Sequence, residues 1–125
     1  MATVFEQLQA IRSLPENWDG YGAASPQAPV VDVAAAFAGF LSAALDRSKT
    51  APAELHVSPT RVGGVLIEWE DPTSQHEVEF NPDHCISFLH RHKATGEITT
   101  RFFAPVPHMV VHPDLLSELG RLLAA

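Results

Sequence analysis

The sequence has little cysteine and few basic residues. Cys85 is the only cysteine among the 125 residues, which excludes an intrachain disulfide and a zinc site built on several cysteines. Eight Lys and Arg stand against fifteen Asp and Glu, giving a formal net charge of −7. Because nucleic acids are bound largely through their phosphates, this balance argues against broad backbone binding, and we expect no nucleic-acid partner.

Long apolar segments and targeting signals are also missing. The most apolar run, residues 30–45, contains Asp32 and is shorter than the ~20 residues that cross a bilayer, so we expect no membrane span. The first residues lack the positive and apolar regions of a signal peptide, which with the free thiol predicts a cytoplasmic protein. Gly63-Gly64 is not followed by a helical pattern, so it does not predict a phosphate-binding loop.

The composition that remains is typical of one folded domain. Hydrophobic residues make up 46% of the chain and charged residues 18%, and the length predicts a single domain over residues 1–125. Helical spacing of apolar residues predicts helices over residues 3–13 and from Pro26 or Pro29 to about Arg47. The second helix is expected to turn these residues inward: Val33, Phe37, Phe40, Leu41, Ala44 and Leu45.

From residue 55 the hydrophobic period changes from helical spacing to two. Close turns separate the alternating segments, which predicts a five-stranded antiparallel meander. The expected strands are 55–59, 65–70, 76–80, 85–92 and 97–104. A closing helix is expected after His112-Pro113, with a stripe of Leu115, Leu116, Leu119, Leu122 and Leu123. The order predicts an α+β fold with two N-terminal helices, the sheet and a C-terminal helix, all helices covering one sheet face.

Strand alternation predicts an acidic face on the other side of this sheet, with Arg91 and Arg101 beside the acidic residues. A solvated surface is the plainest interpretation of these charges. Docking of a basic protein and binding of Mg²⁺ or Ca²⁺ are the alternatives. The simplest register pairs Trp69 with Val78, Ile67 with Phe80, Glu70 with Glu77 and Glu68 with Glu79.

One end of the helix-covered face is expected to gather imidazoles and a carboxylate. The His-x-His pattern of His90 and His92 directs both rings to one side of a strand, as a Zn²⁺ or Fe²⁺ site requires. A metal with an open position would activate water. The simpler interpretation is a rim of histidines hydrogen-bonded where the core meets solvent. The candidate metal ligands are Asp71, His76, His90 and His92.

The loop over residues 14–29 is rich in Pro, Gly, Asn and Asp. Trp18 and Tyr21 are costly to expose, so one or both are expected to anchor the loop. The alternative is a binding surface that presents Tyr21 and Asp19, because loops on rigid scaffolds often carry function.

Several motifs, taken in order, carry a family resemblance. They are Leu14-Pro15-x-x-Trp18-Asp19-Gly20-Tyr21-Gly22-Ala23, Val57-Ser58-Pro59-Thr60, Gly63-Gly64-Val65-x-Ile67-Glu68-Trp69 and Glu77-Val78-Glu79-Phe80. Over residues 14–90 the chain resembles a widespread family of small, largely uncharacterised bacterial proteins with a W-D-G-x-G-A loop, a P-T-x-x-G-G-V-x-[LI]-E-W hairpin and an E-[IV]-E-[IF] strand. The resemblance implies a bacterial or phage origin and a helix-then-sheet order. It brings no catalytic residues, and the three histidines lie outside the shared pattern.

These features favour a non-enzymatic acidic binding module over an enzyme. Its concrete form is an antitoxin, immunity or other accessory protein of a bacterial defence or mobile-element locus, with a protein partner and no cofactor. The alternative is a small metal-dependent hydrolase holding Zn or Fe at the histidines. A homodimer through an edge strand or the closing helix is a third expectation. The candidate partner-binding residues are Glu68, Glu70, Glu77, Glu79, Asp19 and Tyr21.

Overall fold

A computed structural model describes residues 3–47, 55–105 and 113–124. The strands form one antiparallel sheet in the order β1-β2-β3-β4-β5, which confirms the α+β class and the meander. The elements are α1 (Val4–Arg12), α2 (Ala28–Arg47), β1 (His56–Pro59), β2 (Val65–Glu70), β3 (Ser74–Phe80), β4 (Ile86–His92), β5 (Ile98–Phe103) and α3 (Pro113–Ala124).

Helix α1 begins with a side-chain cap. The Thr3 hydroxyl accepts a hydrogen bond from the Glu6 N–H at 3.1 Å, which satisfies one of the free donors of the first turn. Leu8 and Ile11 are buried one helical turn apart, so α1 presents an apolar stripe to the core. The helix contacts both β1 and α2.

Helix α2 supplies the central stripe of the core. Phe40 was expected to point inward, but it is 54% exposed. At 100° per residue it falls beyond Phe37, outside the arc of the stripe. Residues 28–45 are long and apolar enough to cross a membrane by length and composition alone, which is weak evidence, and one stripe of this helix is packed in the core. The stripe consists of Val30, Val31, Ala34, Phe37, Ala38, Leu41 and Leu45.

The helix-covered face of the sheet closes the core around Phe37. Its ring lies 5.5 Å from the Phe80 ring and 6.5 Å from the Trp69 ring, between centroids. Leu115 brings α3 into the same core, whereas the side chains of Leu119, Leu122 and Leu123 lie outside the described part of the chain. The strands contribute these fully buried side chains: Val65, Ile67, Trp69, Val78, Phe80, Ile86, Phe88 and Phe103.

The register between β2 and β3 differs from the expected one by two residues. The turn is tighter than the sequence suggested because the Asp71 Oδ1 accepts hydrogen bonds from the Thr73 and Ser74 N–H groups, each at 2.8 Å, and β3 begins at Ser74. Strands β3 and β4 pair Phe80 with Ile86 and Val78 with Phe88. The β2–β3 pairs are Val65 with Phe80, Ile67 with Val78, Trp69 with His76, Leu66 with Glu79, Glu68 with Glu77 and Glu70 with Gln75.

Arg101 lies on the helix-covered face, so the expectation that it joins the acidic face is wrong. The β4–β5 hairpin turns through Gly96 at a φ of 71°, and Arg101 pairs with the buried Phe88. Its Nη1 donates to the Glu118 carboxylate of α3 at 3.1 Å, and its guanidinium lies 5.7 Å from the centre of the Phe103 ring. The residue therefore ties β5 to α3.

Candidate functional site

The sheet face away from the helices, here called the open face, carries the expected acidic residues. Strand alternation on β2 and β3 places Glu68, Glu70, Glu77 and Glu79 together, and we call this group the acidic stripe. The opposite side of the same two strands is buried in the core, so the stripe stands on strands that are packed against the helices on their other face.

Within the acidic stripe, like charges face each other directly. Glu68 lies opposite Glu77, while Glu70 faces Gln75. Opposed like charges on a sheet destabilise folding by about 0.2–1 kcal/mol. Glu70 ion-pairs with Lys93 at 3.1 Å, and Lys93 together with Gln75 holds the pKa of that carboxyl below its ordinary value. Among the described side chains, no other member of the stripe has an ion-pair partner.

Less positive charge compensates the stripe than the sequence suggested. Arg91 does lie on the open face, where it faces Gln75 and is exposed, but it makes no ion pair with any described residue. Arg101 is engaged with Glu118 on the other side of the sheet. The stripe is therefore a concentration of negative charge in which Glu70 is exposed and the other three glutamates are half-buried, with Lys93 beside Glu70 and His56 beside Glu68. Negative charge of this kind attracts cationic partners.

The Trp18–Ala23 loop is held by its own side chains. The Trp18 Nε1 donates to the Ala24 carbonyl at 2.9 Å, as an anchoring role requires. The Asp19 carboxylate accepts hydrogen bonds from the Tyr21 and Ala23 N–H groups, and from the Arg61 Nε at 2.8 Å. Desolvation raises the pKa of Asp19, but these donors outweigh it and leave that pKa below its ordinary value.

This geometry separates the two loop residues predicted to bind a partner. Asp19 is occupied in holding the loop together, whereas the Tyr21 side chain is 83% exposed. Two glycines allow the turn, Gly20 at a φ of 77° and Gly22 at 84°. Tyr21 is thus presented by a fixed loop, and its role in binding stays a prediction.

The histidine cluster consists of His76 and His90 with Asp71 and Ser74, at one end of the helix-covered face. The His76 ring, 5% exposed, is stacked between Trp69 and His90 with centroid distances of 4.9 and 5.0 Å. Its Nε2 lies 3.3 Å from the Asp71 carboxylate, and the His90 Nε2 lies 2.9 Å from the Ser74 hydroxyl. Burial lowers the pKa of His76, with Asp71 opposing the shift, so the ring is neutral at neutral pH.

The His76 and His90 rings pack on each other, and the buried Nδ1 of His76 has no hydrogen-bond partner among the described residues. The two imidazoles are stacked at an interplanar angle of 14°, and each Nε2 atom is engaged by a protein oxygen. His92 lies further along β4, where it lines an open pocket of about 240 Å³ with His90 and Thr99. Within residues 3–47, 55–105 and 113–124, no three His, Cys, Asp or Glu side chains are placed to hold a metal ion. The proposed ligand set stays a prediction.

Two side-chain contacts were not predicted from the sequence. Glu118 is buried on α3 and accepts hydrogen bonds from both Arg101 and Arg121. It follows Leu115 by three positions, so helical spacing alone could have placed it beside the core. Ser74, the partner of His90, had no signal in the sequence because it was assigned to a turn.

Comparison with known proteins adds no relative. No protein-family model matches the chain, and no curated protein and no solved structure matches it. The resemblance carried by the loop, hairpin and strand motifs stays a prediction. The chemistry of the open face and of the histidine cluster is therefore the basis for any assignment of function.

Proposed function

We propose that this protein is a non-enzymatic binding module that holds a basic macromolecular partner on the acidic stripe. The observation that supports the proposal is the direct opposition of Glu68 and Glu77, neither of which has an ion-pair partner among the described residues, although His56 of β1 lies on the other side of Glu68. Such a pair costs folding free energy, and a sequence under selection for folding alone would replace it. A basic partner would turn this cost into attraction.

The geometry of the stripe suits a protein rather than a small ion. Neighbouring carboxylates along a strand are separated by about 6.8 Å, and those across the pair by about 5 Å, so the charges spread over a surface. No loop wraps them into a coordination shell in the described part of the chain. Spread charge of this kind steers the approach of an oppositely charged partner and selects against acidic ones.

A cytoplasmic antitoxin, immunity or other accessory protein of a bacterial defence or mobile-element locus is the biological form of this proposal, because such a protein acts by holding another macromolecule. The state of Cys85 supports a role without nucleophilic chemistry. Desolvation and the nearby Asp83 raise the pKa of this thiol above its ordinary value, which disfavours the nucleophilic thiolate form.

The proposal can be tested with a defined basic probe. A fluorescently labelled helical peptide of Lys and Leu would be titrated with the wild-type protein and with the Glu68→Gln, Glu77→Gln double variant. We expect the double variant to bind about fivefold more weakly or worse, a loss on the order of 1 kcal/mol. Binding by the wild type should fall as salt is raised, because exposed charges are screened.

A matched control separates the stripe from net charge. The Glu6→Gln, Glu97→Gln double variant removes the same number of charges from exposed positions on α1 and on the β4–β5 turn. It should bind the peptide as the wild type does. Equal losses in the two double variants, or no loss in either, would remove the stripe from the account. Affinity capture from a bacterial lysate with both variants would then identify the natural partner.

A further inference from the structure

The two edge strands of the sheet, β1 and β5, differ in what their outward-facing backbone groups contact. At the β1 edge the Val57 N–H donates to the Gln7 Oε1 at 2.9 Å, and the Gln7 Nε2 lies 3.5 Å from the Leu55 carbonyl. The amide of Gln7 thus occupies the place of a neighbouring strand. Pro59, the next residue with its nitrogen on this side, has no N–H to offer. The β1 edge is therefore closed to further strands.

The β5 edge has no such protection in the described part of the chain. The His92 N–H donates to the Glu97 carbonyl at 2.9 Å, which fixes the direction of the β4–β5 ladder. Because this direction alternates along a strand, the N–H and C=O groups of Ile98, Thr100 and Phe102 point away from β4. Their side chains are exposed on the open face, Ile98 by 55% and Phe102 by 78%.

We propose that β5 pairs antiparallel with β5 of a second copy of this chain across a two-fold axis. Only residues whose backbone groups point outward can pair across the axis, and the longest overlap uses all three of them. These two conditions select the register in which Thr100 faces Thr100 of the second copy and Ile98 faces its Phe102. The three residue pairs then exchange about six backbone hydrogen bonds. By symmetry, the exposed Ile98 of each copy packs against the exposed Phe102 of the other copy. The five-stranded sheets become one continuous sheet.

The distribution of charge favours a second copy as the occupant, although the chain is acidic. The outward-facing part of β5 is uncharged, since Arg101 points to the other face and pairs with Glu118. The two copies of Glu77 would be five strand spacings apart, about 24 Å, or more than twice the Debye length in physiological salt. Repulsion between the stripes is therefore screened at the distance that this pairing imposes.

The closed β1 edge limits the assembly to two chains. Pairing of a β5 edge with a β1 edge would propagate into a fibre, whereas pairing of two β5 edges is closed by symmetry. With Gln7 and Pro59 blocking β1, only the closed arrangement is available to the two edges. The inference is independent of the proposed binding function.

Thr100 gives a direct test because it faces itself across the axis. A charge introduced there meets an identical charge, so both the Thr100→Glu and the Thr100→Lys variants should be monomeric where the wild type is dimeric. An equimolar mixture of the two variants should recover the dimer, because Glu then faces Lys. The measurement is light scattering coupled to gel filtration, over a concentration series from micromolar to millimolar. The wild-type mass should reach twice the chain's 13.6 kDa.

Gln9→Glu is the control, since it adds the same charge on an exposed position of α1 and should leave the dimer intact. Circular dichroism would establish that each variant is folded. We expect Thr100→Glu to weaken self-association at least about tenfold. A wild type that is monomeric throughout the series, a dimer indifferent to Thr100→Glu, or a variant mixture that stays monomeric would each overturn the proposal. Peptide binding by the folded Thr100→Glu monomer would report on the acidic stripe separately.

Discussion

The two faces of the sheet use the same strands for opposite purposes. On the helix-covered face most charged and polar side chains near the core have a partner in the chain: Arg101 pairs with Glu118, and His90 lies beside the Ser74 hydroxyl, whereas the buried Nδ1 of His76 has no hydrogen-bond partner among the described residues. On the open face, Glu68 lies directly opposite Glu77, and this like-charge pair opposes folding. The helix-covered face thus pairs opposite charges, whereas the open face places like charges opposite each other.

This difference indicates where function is to be sought. In the histidine cluster both Nε2 atoms are engaged by protein oxygens, and the His76 Nδ1, which has no hydrogen-bond partner among the described residues, is buried. The acidic stripe has the reverse character, because its charges are stable only in water or against a cation. Substitutions on the two faces should therefore change the free energy of unfolding by different amounts, with the largest loss in the helix-covered core.

Removing the ring at the centre of the helix-covered core should cost the most. Phe37→Ala deletes a fully buried ring packed against Phe80 and Trp69, and it should lower the free energy of unfolding by about 3–5 kcal/mol. Phe40→Ala, on the same helix but half exposed, should change it by less than about 1 kcal/mol. Urea unfolding followed by tryptophan fluorescence measures both. Similar losses would mean that α2 is rotated from the orientation described.

The ion pair between α3 and β5 should have an intermediate effect. Glu118→Gln removes the carboxylate shared by Arg101 and Arg121 and should destabilise the protein by about 1–2 kcal/mol, because the arginines are partly solvated. Glu97→Gln, at an exposed carboxylate on the β4–β5 turn, is the control and should stay within about 0.5 kcal/mol of the wild type. Thermal unfolding midpoints would show whether α3 depends on this contact.

The histidine cluster should make stability depend on pH in one direction. Since burial lowers the pKa of His76 in the folded state from its usual 6.5, the unfolded chain takes up a proton that the folded chain lacks. The free energy of unfolding must then fall as the pH drops below 6.5, until the folded pKa is passed. The slope from this one proton is at most about 1.4 kcal/mol per pH unit.

His76→Phe keeps an aromatic ring in the stack and removes the proton. Its stability should therefore change less than that of the wild type between pH 7 and the lowered pKa of His76, with Asp71 and His90 still present in both proteins. The pKa of Asp71, lowered by its hydrogen-bond donors against desolvation, adds a separate loss at more acidic pH. Parallel stability curves for the two proteins above that acidic range would show that His76 does not titrate as described.

On the open face, relieving the like-charge pair should have the smallest effect and the opposite sign. Glu77→Lys places a cation opposite Glu68 and should raise the free energy of unfolding by about 0.2–1 kcal/mol. The same change should abolish binding of the basic peptide. Glu97→Lys alters net charge equally on an exposed turn and should leave peptide binding unchanged. A destabilised Glu77→Lys variant would show that the register on this face is different.

Much of the fold could be predicted because alternation and turns are local properties. Alternation along the strands showed that Ile67 and Val78 share the buried face. The four glutamates therefore share the opposite face in any register that keeps the apolar residues together. The register itself depended on the Asp71 side chain, whose hydrogen bonds tighten the turn by an amount that spacing does not reveal. Arg101 was misplaced for a similar reason, since the length of the turn through Gly96 sets the parity of β5.

The candidate site was less predictable because it depends on compensation between distant residues. Whether Arg101 neutralises the acidic stripe depends on the face to which the parity of β5 directs it, and its partner there, Glu118, lies on a helix far along the chain. The stacking of His76 between Trp69 and His90 likewise requires the true register. Neither contact could be predicted from a local sequence pattern, because each depends on how separate elements are placed in the fold.

The central claim is that the acidic stripe serves binding at the expense of folding. Its most direct test is the free energy of unfolding of the Glu68→Gln, Glu77→Gln variant, measured by urea denaturation at low salt, where charge repulsion is least screened. Our account predicts a value equal to or above that of the wild type, in a protein that binds the basic peptide about fivefold more weakly or worse. A fall of more than about 1 kcal/mol would contradict it, because the glutamates would then be part of what holds the fold together.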